Sequence, residues 1–224
     1  MNASGRFAAG QVLADRYQII SLLGRGGMAE VYRADDLRLG EPVALKFLFD
    51  DDAKPEHLQR LFDEVKISRE VTHPNVCRVH DVGEVRLPDS ATQGLFFISM
   101  EFIDGENVLS LLKRIGRFSG DSALKISREI CAGLAAAHEK GVLHRDLKPA
   151  NVMIDNHGVA KLTDFGLAGF AQEVGSRGHA AGTPLYMAPE QLIEGGATVQ
   201  SDIYSLGLVL FEVYTGKPVF TAQT

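Results

Sequence analysis

A chain of 224 residues that is 45% hydrophobic and 23% charged has the apolar material for one or two compact domains with a real core, which excludes a disordered or low-complexity chain. A formal net charge of −6, with no run of Lys and Arg, argues against nucleic acid as the main partner. The opening Met1–Gly10 lacks the apolar stretch of a signal peptide, and the densest apolar run, Ile203–Tyr214, is shorter than a membrane span and carries Glu212. Cys77 and Cys131 stand far apart and form no CxxC pair. The expectation is a soluble, cytoplasmic chain with two buried free thiols in a reducing compartment.

In chain order, Arg16–Gly24 and Glu30–Ala34 read as two strands around Gly24-Arg25-Gly26-Gly27-Met28-Ala29. Glycines there let the backbone approach anionic oxygens and offer them N–H groups, although a plain hairpin loop has the same composition. Pro42–Leu48 alternates as a strand does. Val43, Leu45 and Phe47 fall on one face, and Ala44 and Lys46 share the other, so that a small apolar surface adjoins a cation. Leu58, Leu61, Phe62 and Val65 have the spacing of an amphipathic helix. Glu64 lies at the border of that stripe, either turned inward or solvated like Asp63. Phe96–Met100 reads as a buried strand. Leu124, Ser127, Ile130, Cys131, Leu134 and Ala137 mark a second helix, with N-cap candidates from Ser119 to Ser122 and Gly141 as its terminator.

The densest chemistry follows, in His144-Arg145-Asp146-Leu147-Lys148-Pro149-Ala150-Asn151 and in Asp164-Phe165-Gly166. The residues between them look like two short strands joined by Asp155, Asn156 and Gly158, a hairpin that returns Asn151 and Asp164 to one edge with Asp146 just ahead. Amide and carboxylate oxygens at such an edge suit Mg²⁺, a hard ion that takes a few protein oxygens and leaves the rest to water and phosphate. Lys148 adds positive charge beside Asp146, which suits chemistry on an anionic group. Asp202–Tyr214 is hydrophobic nearly all round and ends at Gly216 and Pro218, as a buried central helix does. The carboxylate at its start then needs a hydrogen-bonding partner, and N-capping of its own helix is the near alternative.

Taken with Ala188-Pro189-Glu190 and Gly182-Thr183-Pro184, these motifs resemble the eukaryotic-like (Hanks-type) bacterial serine/threonine protein kinases from about Arg16 to the last residue. The resemblance implies an α+β, bilobal protein-kinase-like fold. Its N-lobe is an antiparallel β-sheet with one main helix, and its C-lobe is mostly helical and lacks its last helices. The boundaries expected are an N-terminal extension over 1–15, an N-lobe over 16–100, a hinge over 101–105 and an incomplete C-lobe over 106–224. It further implies ATP and Mg²⁺ (with Mn²⁺ as a substitute), protein substrates offering Ser or Thr hydroxyls, and no nucleic acid. A membrane anchor beyond residue 224 and the oligomeric state are left open.

Residue by residue, the family's roles fall as follows. Asp146 orients the attacking hydroxyl and accepts its proton, Lys148 neutralises the transferred group, and Asn151 and Asp164 hold metal. Glu64 pairs Lys46. Leu23 and Gly24 through Ala29 form the nucleotide lid. Val31, Ala44 and Met153 sandwich the purine, with Met100 at the back and the Glu101 carbonyl and Ile103 N–H at its edge. Arg145, Ser176 and Thr183 carry regulation, Ser176 being the only hydroxyl side chain between Leu167 and Gly182. His144, Phe165, Gly166, Glu190 and Asp202 are structural supports. Ala29 stands where the family has a third glycine. Two competing readings are a nucleotide-binding regulatory or scaffold module and a small-molecule phosphotransferase. The second lacks the Ala-Pro-Glu and Gly-Thr-Pro runs.

Overall fold

The computed structural model describes residues 5–26, 29–48, 55–85, 94–165, 184–193 and 196–221. They belong to two compact units, one of Met1–Val65 with Arg78–Phe102, the other of Lys66–Cys77 with Ile103–Thr224.

The first unit is a six-stranded antiparallel sheet with one helix. Its strands are β1 (Val12–Leu13), β2 (Tyr17–Arg25), β3 (Ala29–Asp36), β4 (Glu41–Leu48), β5 (Val79–Val85) and β6 (Leu95–Glu101), in the order β1-β2-β3-β4-β6-β5. The helix α1 spans Pro55–Ser68. Alternation in β4 works as the sequence suggests: Val43, Leu45 and Phe47 are all buried on the core face. Phe47 packs at 5.7 Å from the Tyr32 ring and 5.3 Å from that of Phe97, in edge and tilted geometries that aromatic quadrupoles favour. On α1, Leu61 and Val65 are buried while Phe62 lies outside, its ring edge-on to Phe96 at 6.1 Å.

The described residues 5–15 are built into this unit. Phe7 is 5% exposed and its ring sits 4.6 Å from that of Phe47. Its N–H donates to the Tyr32 hydroxyl at 3.2 Å, and the Arg6 N–H donates to the buried Glu30 carboxylate at 3.2 Å. Phe7→Ala removes a whole ring from the core and is expected to destabilise this unit by about 3–5 kcal/mol. Urea denaturation followed by tyrosine fluorescence or circular dichroism reads the loss.

The Arg16 guanidinium grips Asp36 with its Nε at 3.0 and 3.1 Å and its Nη2 at 2.6 Å, and the Arg38 and Leu39 N–H groups donate to the same carboxylate. Arg16 thereby holds the Asp36 carboxyl below the usual range for an aspartate. The folded protein then binds fewer protons than the unfolded chain as pH falls past about 4. This stabilisation is fully present above the unfolded value and is lost as pH drops through the lowered folded one. Denaturation midpoints of the wild type should therefore fall on acidification from about pH 5 to about pH 2 more steeply than those of Asp36→Asn.

The second unit holds helices α2 (Val108–Ile115), α3 (Gly120–Glu139), α4 (Pro189–Ile193) and α5 (Val199–Thr215). A three-stranded sheet of β7 (Gly105–Asn107), β8 (Val152–Asp155) and β9 (Ala160–Leu162) runs in the order β7-β8-β9. The helix starts are satisfied locally: Asn107 accepts from the Ser110 N–H, Ser119 from that of Ser122, and Thr198 and Ser201 form a reciprocal capping box. Gly216, at φ 73°, closes α5 in the left-handed region.

Three expectations about faces need correction. On α3 the expected Ser127, Ile130, Leu134 and Ala137 are buried together with Ala123, Ile126 and Gly133, whereas Leu124 is 42% exposed. Gly133 explains the choice: a Cβ there would stand 2.6 Å from the Asn75 carbonyl oxygen, so the helix turns its smallest residues toward the 73–77 segment. Cys131 consequently lies on the outside, and only Cys77 is buried. On α5 the buried face carries Ser201, Asp202, Ser205, Val209, Glu212 and Val213, while Ile203 is 54% and Phe211 47% exposed. The polar side turns inward because its groups find donors and acceptors there. Among the described residues no helix is long and apolar enough to cross a membrane.

Candidate active site

The β8–β9 hairpin is set by its turn. Asp155 Oδ1 accepts from the His157 and Val159 N–H groups at 2.9 and 2.8 Å, and Gly158 takes φ 74°. The register pairs Val152 with Leu162 and Ile154 with Ala160. At the open end the Thr163 N–H and hydroxyl both donate to the Asn151 carbonyl, at 2.9 and 3.2 Å, so Asp164 emerges beside Asn151. Asp164 adopts φ 65°, a costly conformation for a non-glycine residue and one that collects at functional sites. Asn151 donates through Nδ2 to the Asp146 carbonyl at 2.8 Å and to Asp146 Oδ2 at 3.3 Å, which leaves its own Oδ1 as an acceptor. Lys148 Nζ lies 2.6 Å from Asp146 Oδ2. An ammonium, an amide and a carboxylate thus meet at one point, and Asp164 leaves the chain next to it.

Asp202 fixes this loop from below. It is 1% exposed; its Oδ2 accepts from the His144 N–H and contacts His138 Nε2, and its Oδ1 accepts from the Arg145 N–H, all at 2.8 Å. Arg145 needs the support because its φ of 69° is unfavourable for a side-chain-bearing residue. The Gln191 Nε2 of α4 donates to the Arg145 carbonyl at 3.0 Å, and Glu190, half-buried, sits in the first turn of the same helix. His144 is fully buried with its ring 4.6 Å from that of Phe165, and burial pushes its imidazole pKa below the ordinary value. Met153, half-buried, pairs with Asn107 across β7–β8.

In the first unit, strand register brings a second group together. Val31, Lys46 and Ile98 stand opposite one another in one row across β3, β4 and β6, and Arg33, Ala44 and Met100 form the next row on the same face. Glu64 is half-buried between the core residues Leu61 and Val65. The Glu101 N–H donates to the Arg78 carbonyl at 2.9 Å, and Ile103, in the second unit, is half-buried. Leu23 and Gly24 lie in the last residues of β2, Arg25 pairs with Glu30 at 3.2 Å, and the Gly26 N–H donates to the Ala29 carbonyl at 2.8 Å. A Cβ on Gly24 would meet nothing within 4 Å, and none of the atoms near one on Gly26 is closer than 3.9 Å. Neither glycine has a positive φ. Their smallness is therefore not demanded by packing or backbone, and it suits close approach by a polyphosphate. Gly27, Met28, Gly166, Ser176 and Thr183 lie outside the described residues.

Among the described residues no three His, Cys, Asp or Glu side chains gather as a self-sufficient metal cage. Asn151 and Asp164 offer hard oxygens of the kind Mg²⁺ accepts from a protein when phosphates and water complete its shell. The donor set fits that ion and does not fit zinc.

The sequence reading missed His138, Tyr186 and Glu212. The Tyr186 hydroxyl donates to Glu212 Oε2 at 2.5 Å, tying the 184–186 turn to α5. A Glu inside an otherwise apolar helix was the one available signal for that pair; nothing local marked His138.

The protein kinase domain family model matches residues 17–224. The chain is 39% identical over 222 residues to the probable serine/threonine-protein kinase PknB of Lactococcus lactis, covering 96% of this chain and 34% of that protein. It is 40% identical over 216 residues to the serine/threonine-protein kinase PknD of Mycobacterium tuberculosis, covering 93% and 31%. The crystal structure of the M. tuberculosis PknI kinase domain superposes with a TM-score of 0.76 at 27% identity, over 97% of this chain and 80% of that one. The chain thus spans about a third of the length of the curated relatives it matches. Match extent and identity together place it: the chain belongs to the protein kinase domain family, among the bacterial Hanks-type serine/threonine kinases.

Proposed function

We propose that this chain transfers the γ-phosphoryl group of ATP to serine or threonine hydroxyls of protein substrates. The observation that carries the reading is the meeting of Asp146, Lys148 and Asn151 at the mouth of the hairpin from which Asp164 emerges. Asp146 accepts the hydroxyl proton and aligns the oxygen for in-line attack. Lys148 sits where negative charge accumulates on the transferred group. Asn151 and Asp164 would hold Mg²⁺, which supplies charge neutralisation along the phosphates. The row of Val31, Lys46 and Ile98 beside Arg33, Ala44 and Met100 supports adenine against small apolar surface, with Lys46 toward phosphate and Glu64 as its partner on α1. Val31, Ala44 and Met153 are assigned to the purine, and the Glu101 carbonyl and Ile103 N–H to its edge. Ser176 and Thr183 remain proposals as regulatory positions, with Arg145 as the cation that a phosphorylated residue would engage.

The test is incorporation of radiolabelled phosphate into a generic protein substrate, run beside equilibrium ATP binding. Incorporation that depends on Mg²⁺ and yields phosphoserine or phosphothreonine on hydrolysis is the expected result. Nucleotide binding with no transfer under any divalent cation would leave a binding module instead.

A further inference from the structure

We infer that Glu30 is a positioning residue for the nucleotide lid and that residues 5–7 are the strap that holds it in place; this rests on the assignment of Gly24–Ala29 to the phosphates of ATP. Glu30 is the second residue of β3, which leaves the lid, and stands opposite Arg25 on β2, which enters it. Along β3, Glu30, Tyr32 and Ala34 are buried on the core face. Val31, in the row with Lys46, lies on the other face. Glu30 is therefore turned away from the face assigned to the nucleotide and acts on the lid only through its partners.

A carboxylate that is 1% exposed beside aromatic rings is costly unless donors surround it. Glu30 Oε1 takes Arg25 Nε at 3.2 Å, and Oε2 accepts from the Tyr32 hydroxyl at 2.7 Å and from the Arg6 N–H at 3.2 Å. The Tyr32 hydroxyl in turn accepts from the Phe7 N–H at 3.2 Å. Burial first, and then the bond to Glu30, push the Tyr32 phenol above its usual value, so it stays a donor. Two of the three donors are thus supplied or oriented by the strap, and the third belongs to the lid.

The strap fits closely. A Cβ on Gly5 would collide with the Tyr32 hydroxyl, and the Phe7 ring sits 4.6 Å from that of Phe47 and 5.5 Å from that of Tyr32. On the lid side, Arg25 adjoins Gly26, whose N–H closes on the Ala29 carbonyl at 2.8 Å. The carboxylate that fixes Arg25 therefore sets the base of the lid where its two strands meet.

The experiment uses the full chain with Glu30→Gln, Tyr32→Phe or Gly5→Ala. ATP and adenosine are each read by competition against a fluorescent ATP analogue, with phosphate incorporation scored in parallel. In each variant that folds by circular dichroism, ATP should bind about five-fold more weakly while adenosine binds as in the wild type. KM for ATP should rise with kcat per folded molecule unchanged. Gly5→Ala leaves every core side chain in place, so the test does not depend on replacing a buried group. Gly5→Ala and Tyr32→Phe act through one hydroxyl, and together should cost no more than Tyr32→Phe alone.

Unchanged ATP affinity in the folded variants overturns the inference. So does an equal loss of ATP and adenosine, which marks a loosened unit, or full additivity of the Gly5 and Tyr32 substitutions. ATP-selective weakening in a chain that transfers no phosphate would strike the transfer reading and leave the strap standing. Transfer with normal ATP affinity in every variant does the reverse, and a wild type that binds no ATP strikes both.

Discussion

Asp146→Asn is expected to cut turnover by roughly 10²-fold or more, with ATP affinity unchanged. The substitution preserves shape. Asparagine still offers an oxygen to Lys148 Nζ, and the Asn151 Nδ2 bond to the residue-146 carbonyl is a backbone contact that survives. What disappears is a group able to take the hydroxyl proton and the negative charge that balances Lys148. A loss confined to the transition state lowers kcat and kcat/KM together, so steady-state kinetics with both substrates varied separates this role from simple positioning. A variant with near-normal kcat removes Asp146 from the chemistry.

Asp202→Ala should destabilise the second unit by about 3–5 kcal/mol and lower kcat as well. One buried carboxylate serves three partners, the His144 and Arg145 N–H groups and His138. Deleting it leaves two backbone donors without their acceptor, the His144 one buried and the Arg145 one partly so, and a buried donor left unpaired costs about 1–3 kcal/mol. The kinetic loss follows from geometry: Arg145 occupies an unfavourable φ, and without its anchor the loop relaxes and carries Asp146 with it. Asp202→Asn keeps one acceptor and should show an intermediate effect. Hydrogen exchange at residues 144–146 together with a denaturation midpoint checks the claim; unchanged protection in the alanine variant would refute it.

Legibility along the chain followed interaction range. The hairpin from Val152 to Leu162 was visible because Asp155 and Gly158 act within two to four residues, through side-chain-to-backbone bonds and a left-handed turn. The alternation in β4 was visible because pleating alone sorts Val43, Leu45 and Phe47 from Ala44 and Lys46. The outer places of Leu124 and Cys131 on α3, and the exposed side of α5, were misjudged for the complementary reason. Periodicity says which side chains share a side, but not which side a neighbour will cover. Close approach at Gly133 decided the first, and the hydrogen-bonding demand of Asp202 and Glu212 decided the second.

Residue order alone was enough to bring Asp146, Lys148 and Asn151 into view as one reactive group, since they lie within a single loop whose turn residues and lysine leave few other shapes. It also laid out the alternating face of β4 with Lys46 beside Ala44. Folding in three dimensions supplied what no window of sequence holds: a carboxylate 58 residues from the N–H it accepts, a histidine 64 residues from that carboxylate, and a tyrosine 26 residues from its glutamate. Local geometry is dictated by sterics and short-range bonds and is therefore written in neighbouring residues. Long-range pairing is settled only when packing buries a polar group and leaves it one place to find its partner.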